Sequence, residues 1–215
     1  MGTSTDDTVA DGVAAPDWRR LEPMELTPIL SAALDAFYET GFHGTSVREI
    51  ARRVGVTVPA LYYHHENKEG LLIALLELST SDVMTRAYAA DADGGDDPVQ
   101  RLSNAIEAIV LRMTNRPRLA ALEGEVRYLS PENRQRYRAV RKEIEKLVFE
   151  IVEDGTRRGA FDVEDPAETT RALLGMCQSI PRWYHREGSL SPEEVARKYV
   201  AIALKTVGAT PPSKP

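Results

Sequence analysis

Residues 45–69 read TSVREIARRVGVTVPALYYHHENKE, and the turn in their middle decides how the chain is organised. Ser46 and Glu49 stand at capping-box spacing, where each side chain can satisfy an open amide of a first helical turn. Val47, Ile50, Ala51 and Val54 then share one face at the helical period, and Gly55 stops the run. A second, short helix fits Val58 to about Tyr63. A capped helix, a Gly-Val turn and a short helix form the helix-turn-helix layout. In that layout the second helix enters the major groove and the first crosses the nucleic-acid backbone. Val47, Ile50, Ala51, Val54, Val56 and Leu61 can supply the small core that fixes the two helices. The remaining side chains are hydroxyls, imidazoles and cations, which donate to phosphate oxygens.

Outward from this stretch the same start signal recurs: a short polar cap, often followed by proline, then an apolar stripe. Thr27-Pro28 opens a helix carrying Leu30, Ala33, Leu34 and Phe37, with Gly41 as its stop. Asn67 caps a fourth helix that runs to about Ala89, and residues 91–97, DADGGDD, read as a linker. Asp97-Pro98 opens a fifth helix. Arg116-Pro117 opens a sixth, with Leu119, Leu122, Val126 and Leu129 on one stripe. Ser130-Pro131 opens a long seventh, ending near Gly155 to Gly159. Asp165-Pro166 opens an eighth, which Pro181 bends or ends because its ring blocks the preceding turn. Ser191-Pro192 with Glu194 is a second capping box and opens the ninth. No segment alternates as a strand does, so the expected class is all-α with about nine helices. Residues 1–17 are small, polar and acidic and read as a mobile tail. The expected division is this tail, a helix-turn-helix domain over 18–70, and a further helical domain over 71–210.

The 215 residues are 42% apolar and 28% charged, which excludes a mainly disordered chain, a collagen and a disulfide scaffold. The longest apolar run, Leu71 to Leu76, is far short of the ~20 residues of a membrane span. The acidic N-terminus is no secretory signal, so a cytoplasmic protein without membrane partners is expected. Cys177 is the single cysteine. It excludes an internal disulfide or a multi-cysteine metal site, and its apolar stripe suggests an inert core thiol. Net charge is -6, yet Asp6, Asp7, Asp11, Asp17, Asp91, Asp93, Asp96 and Asp97 account for more than all of it. Between Gly41 and Lys68 the local balance is positive, and local field governs binding to a phosphate backbone.

The order of residues here resembles the DNA-binding domain of TetR-family transcriptional repressors. The matching positions are Thr45, Val47, Arg48, Ile50, Ala51, Gly55, Val56, Thr57, Leu61, Tyr62, His64, Lys68, Glu69 and Leu71. His65 departs from the family's usual phenylalanine, and Pro59 from a usual glycine or small residue. The resemblance implies phosphate contacts from Thr45, Thr57, Tyr62, His64 and Lys68, with Thr57 also capping the recognition helix. Val58, Pro59, Ala60 and Tyr63 face the groove by helical spacing, and Val58 and Ala60 suit thymine methyls rather than hydrogen-bonding groups. Arg48 and Arg52 are peripheral contacts. The competing reading of the arginine run is a solvated helix face, and of Tyr62, His64 and His65 a share in the core.

The same resemblance implies a ligand-responsive repressor that binds a palindromic double-stranded DNA operator as a homodimer and is released by a small apolar or acyl-CoA-like effector, with residues 71–210 as the effector-binding and dimerisation domain. The ninth helix fits, being apolar on two adjacent sides (Val195, Tyr199, Ile202; Ala196, Val200, Ala203, Val207), so the last two helices are the expected seam. Pocket candidates on the middle helices are Ile106, Ile109, Val110, Met113, Leu122, Phe149 and Met176, with Tyr128, Tyr137 and Arg127 as polar candidates; plain core is the alternative for each. The segment 175–204 resembles the C-terminal part of actinobacterial TetR-like regulators of lipid and steroid breakdown, some responsive to acyl-CoA thioesters. An arginine beside aromatics, Arg182 and Trp183, suits a CoA phosphate and adenine; anchoring of the helix end at the dimer seam is the other reading. No cofactor, metal site or catalytic residue is expected: His64-His65-Glu66 is not HExxH, Asp91–Asp97 lacks two calcium-loop positions, and no phosphate loop or nucleophile elbow occurs. A different class stays open: an all-α small-molecule-binding protein or enzyme in which the helix-turn-helix is only structural.

Overall fold

The computed structural model describes residues 17–209, so the tail expected over 1–17 lies, but for Asp17, outside the described residues. The described residues form nine α-helices, two 3-10 segments and no strand. The helices are α1 (Pro28–Gly44), α2 (Val47–Val54), α3 (Val58–His64), α4 (Lys68–Asp93), α5 (Pro98–Asn115), α6 (Pro117–Ala121), α7 (Pro131–Arg157), α8 (Pro166–Ser179) and α9 (Pro192–Thr206). The cap residues explain most of these starts. Thr27, Ser46, Thr57, Asn67, Asp97, Ser130, Asp165 and Ser191 each accept a backbone N–H of the following first turn. At Ser191 the capping box closes in both directions. At Ser46 only half of it forms, because the Glu49 carboxylate turns to Arg52 and Arg53 instead.

Two boundaries differ from the sequence expectation, and a third, at Gly41, agrees with it. The sixth helix is five residues long and tightens into a 3-10 segment over Leu122–Tyr128. Gly124 weakens helix there, and the segment is held on two sides by different neighbours. The fourth helix continues to Asp93, which shortens the linker to residues 94–97. In α1 the backbone turns left-handed at Gly41 (φ 72), so the regular helix stops there and the last turn swings Phe42 back into the core.

Two apolar cores result. One surrounds α5 and takes side chains from α4, α7, α8 and α9. The other joins α1, α2, α3 and Leu71–Leu76 of α4 to Leu119, Leu122, Leu129 and Tyr137. The boundary expected at 70/71 therefore falls in the first turn of a continuous helix whose early turns belong to the smaller core. At the other end, residues 17–22 pack on α4 and α5 rather than on the helix-turn-helix. Trp18 is buried, packs with Ala90 and Ala108, and donates its indole N–H to Asp93 at 3.2 Å. Arg86 donates to the carbonyls of Trp18 and Arg20, and Arg116 to that of Glu22. The chain joins the smaller core only from Met24 and Leu26 onward.

Candidate DNA-binding head and effector cavity

Helices α2 and α3 meet through Gly55, whose φ of 78 caps α2 and turns the chain into α3. Ile50, Ala51 and Leu61 are buried between them, with Val47, Val56 and Val58 partly buried alongside. Thr57 caps α3 by accepting from the Ala60 amide at 3.3 Å. Pro59, Ala60, Tyr62, Tyr63 and His64 are exposed, Tyr63 most of all at 87%. A cleft at the start of α2 brings together Thr45, Ser46, Val47, Arg48, Val58, Tyr62 and Lys68.

Two expected phosphate contacts are placed differently. Thr45 is buried, and its hydroxyl lies 2.8 Å from the Gly41 carbonyl, 3.0 Å from that of Ala36 and 2.9 Å from the Thr40 hydroxyl. That side chain ties α1 to α2. The Lys68 ammonium donates to the carbonyls of Phe42 at 2.7 Å and Thr45 at 2.9 Å and sits over the Phe42 ring. Burial pushes its pKa down. One of its three N–H donors remains for the cleft. The arginines divide as well. Arg52 and Arg53 both bind Glu49, which their hydrogen bonds hold down at about 2, and Arg53 also binds Glu39. Arg48 is exposed and takes no part in these pairs, leaving it the free guanidinium of α2. His65 is half-buried at the end of α3, where burial first and the neighbouring His64 second lower its pKa.

The effector side holds a cavity of about 550 Å³ between α4, α5, α7, α8 and the 3-10 segment Leu122–Tyr128. Of the residues named from the sequence, Ile109, Met113 and Tyr137 line it, together with Thr80, Val83, Val126, Ile144 and Leu174. Its exposed edge carries Arg138, Arg141, Lys142 and Arg171 against Glu123 and Glu145. Arg141 reaches Glu123 only at 3.9 Å, and Arg171 is engaged by Glu168 and Glu145. Arg138 and Lys142 form no ion pair among the described residues. Beside the cavity wall, Arg112 is wholly buried and burial lowers its pKa. Its guanidinium meets the Ser79 hydroxyl, the Ser79 carbonyl and the Met113 sulfur, while its Nε has no partner.

The other expected pocket residues lie elsewhere. Ile106 and Val110 are on faces of α5 that fill the larger core, and Met176 packs against that core. Leu122 belongs to the smaller core, and Phe149 is half-buried outside the cavity lining. Tyr128 stacks on Phe42 and meets His43 edge-on at 4.2 Å. Arg182 and Trp183 are exposed beyond the end of α8, where Pro181 turns the chain outward, and Trp183 stacks on Tyr199 of α9. The basic rim went unread in the sequence, although Arg138, Arg141 and Lys142 stand at i, i+3 and i+4 of one helix. Cys177 is buried and its thiol is pushed up to about 12, which makes it inert near neutrality.

One element touches both regions. In a 3-10 helix residues three apart eclipse. Glu123 and Val126 therefore share the face that lines the cavity. Leu122, Glu125 and Tyr128 share another: Leu122 enters the smaller core, Glu125 accepts the Phe42 amide at 3.0 Å, and Tyr128 stacks on Phe42. A second tie joins the domains where Glu69 accepts from the Ser130 amide at 2.7 Å and the Asn133 side chain at 2.8 Å. Burial opposes the Glu69 charge, but these bonds win and its pKa is lowered.

A helix-turn-helix head joined by one helix and one 3-10 segment to an all-helical chamber is the architecture of a ligand-responsive transcriptional regulator. Residues 29–75 match the family described as bacterial regulatory proteins, tetR family, and residues 95–207 match the tetracyclin repressor-like C-terminal domain. The chain belongs to the TetR family of transcriptional regulators. It is 27% identical over 202 residues to the HTH-type transcriptional repressor KstR2 of Rhodococcus jostii, covering 91% of this chain and 94% of that one. Among solved structures, the TetR-family regulator PfmR from Thermus thermophilus is 30% identical with a TM-score of 0.75, over 82% of this chain and 97% of that one. AibR, solved with isovaleryl coenzyme A and operator DNA, is 27% identical with a TM-score of 0.74, over 81% and 95% of the two chains. Among the described residues no helix is long and apolar enough to cross a membrane.

Proposed function

We propose that the chain is a cytoplasmic repressor that binds a palindromic operator as a homodimer and leaves it when an amphipathic anion of the acyl-CoA class enters the cavity. The observation that carries this reading is the 3-10 segment shared by cavity and head, because it gives a ligand a direct mechanical route to the DNA-binding helices. The cavity supports the effector class. Its interior is hydrocarbon from Val83, Ile109, Met113, Ile144 and Leu174, suited to an acyl chain, and its rim offers the unpaired cations of Arg138 and Lys142. The comparison with AibR, whose structure holds isovaleryl coenzyme A, points the same way. The ligand acts by preferring the state in which the head is displaced, and its differential affinity sets how far the equilibrium moves.

On the DNA side, the cleft of Arg48, Tyr62, Lys68 and Ser46 is the phosphate clamp, with Thr57 and His64 as further backbone contacts. Dimerisation would cover the exposed Trp183 and Ile202 together with the half-buried Tyr199 on which Trp183 stacks. The test is fluorescence anisotropy on the intergenic DNA beside the gene, at two salt concentrations and with an unrelated duplex as control. Selective, salt-sensitive binding that acyl-CoAs reverse is the expected result. Equal weak binding to both duplexes, followed by a genomic fragment selection that also yields nothing, would favour the purely structural helix-turn-helix instead.

A further inference from the structure

Helix α3, Val58–His64, carries no arginine, lysine, asparagine, glutamine, aspartate or glutamate. Those are the side chains that make paired hydrogen bonds to the edges of guanine and adenine or accept from the amino group of cytosine. The groups that α3 does offer are mostly committed. Thr57 is engaged as the cap, Leu61 is buried, and Val58 is half-buried against the smaller core. Tyr62 faces the cleft beside Arg48, and His64 meets the Tyr63 ring edge-on. Three exposed side chains remain on one face at helical spacing: Pro59, Ala60 and Tyr63. Two are pure hydrocarbon and the third is a phenol that is 87% exposed.

In the major groove one base feature rewards a hydrocarbon, the C5 methyl of thymine. We propose that this regulator reads its operator through thymine methyls, with Pro59 and Ala60 as the specificity-determining residues and the Tyr63 ring as a third apolar contact. Each half-site then places thymines beneath the first turn of α3, and discrimination comes from methyl burial rather than from a hydrogen-bond code. The inference rests on the reading that α3 enters the major groove. Phosphate contacts from the cleft hold the register but carry no sequence information of their own.

The experiment starts from duplexes that the full-length protein selects out of a random pool. Thymines of the tightest duplex are replaced one at a time by deoxyuridine, which removes the methyl and nothing else. Affinity is read by anisotropy at fixed salt. Burying one methyl predicts about a fourfold loss at one or two thymines per half-site, recovered when 5-bromodeoxyuridine restores the bulk. Pro59→Ala and Ala60→Gly, both at exposed positions, should each bring the thymine-to-uridine ratio at their own thymine close to unity and leave the other intact. If every uridine duplex binds like its parent while a scrambled duplex does not, the methyl inference is overturned and DNA shape carries the specificity. If the pool yields no preferred duplex at all, the DNA-binding reading fails with it, and that outcome is recognisable before any uridine is introduced.

Discussion

His65 closes helix α3, and the cost of an imidazole there can be read from its surroundings. The imidazole is half-buried and packing disfavours its charged form, an effect to which His64 adds. In the unfolded chain it takes a proton near 6.5, whereas the folded state takes one only at lower pH. The unfolded state therefore binds more protons in that window, and stability falls as pH drops through it. Differential scanning fluorimetry from pH 8 to pH 5 should show a declining melting temperature, and His65→Phe should flatten the decline. An unchanged slope in the variant would assign the pH dependence to other groups. Arg112 poses the opposite case, a wholly buried guanidinium with no carboxylate in ion-pair reach among the described residues and an unpartnered Nε. Exchange of such a group for a hydrocarbon of similar volume is often neutral or stabilising. Arg112→Met is expected to melt at or above the parent temperature; a marked drop would reveal an ionic role that the geometry does not display.

At the level of elements, the 3-10 segment Leu122–Tyr128 is where the sequence was misleading. Leu122, Val126 and Leu129 fit a helical stripe, and that spacing predicted a full sixth helix. The tighter winding arises because Glu125 and Tyr128 are drawn to Phe42 while Glu123 and Val126 face the cavity. No residue-by-residue propensity contains that pull. If this segment transmits the signal, Glu125→Gln with Tyr128→Ala should leave effector affinity by calorimetry near the parent value. Release of DNA should then need about tenfold more effector. Equal losses in both measurements would instead mean that the cavity itself had been damaged. The N-terminal arm is the second such element. Trp18 looked like the edge of the DNA-binding domain, yet it is buried on α4 and α5 and Arg86 holds the backbone on either side of it. Trp18→Ala should lower unfolding free energy by about 3 kcal/mol, measured by urea denaturation.

For the whole molecule, the exposed apolar strip on α9 and the end of α8 is the feature that a single chain leaves unfinished. Ile202, on a helix whose opposite side fills the larger core, is 48% exposed, and Trp183, beyond the end of α8, is 43% exposed. If a second copy covers this strip, Ile202→Arg should shift the protein from dimer to monomer in light scattering. Operator affinity should fall with it, since two heads must reach two half-sites together. A variant that stays dimeric and binds normally would move the seam to another face.

What the sequence determined by itself is local. Eight helix starts, the stop at Gly41, the Gly55 turn, the Thr57 cap and the nine-helix count were legible because caps and stripes act within about one helical turn. The family resemblance in residues 45–71 was legible for the same reason, being a run of adjacent positions. Tertiary structure alone decided that Thr45 and Lys68 bind backbone carbonyls inside the head, and that only Ile109, Met113 and Tyr137 of the twelve residues first proposed for the ligand line the cavity. It also decided the basic rim, the 3-10 winding and the docking of Trp18. Each of these depends on which distant helix packs opposite. A stripe of leucines and methionines reports that a face is buried, but whether it meets another side chain or an open cavity is settled by the neighbour and not by the stripe.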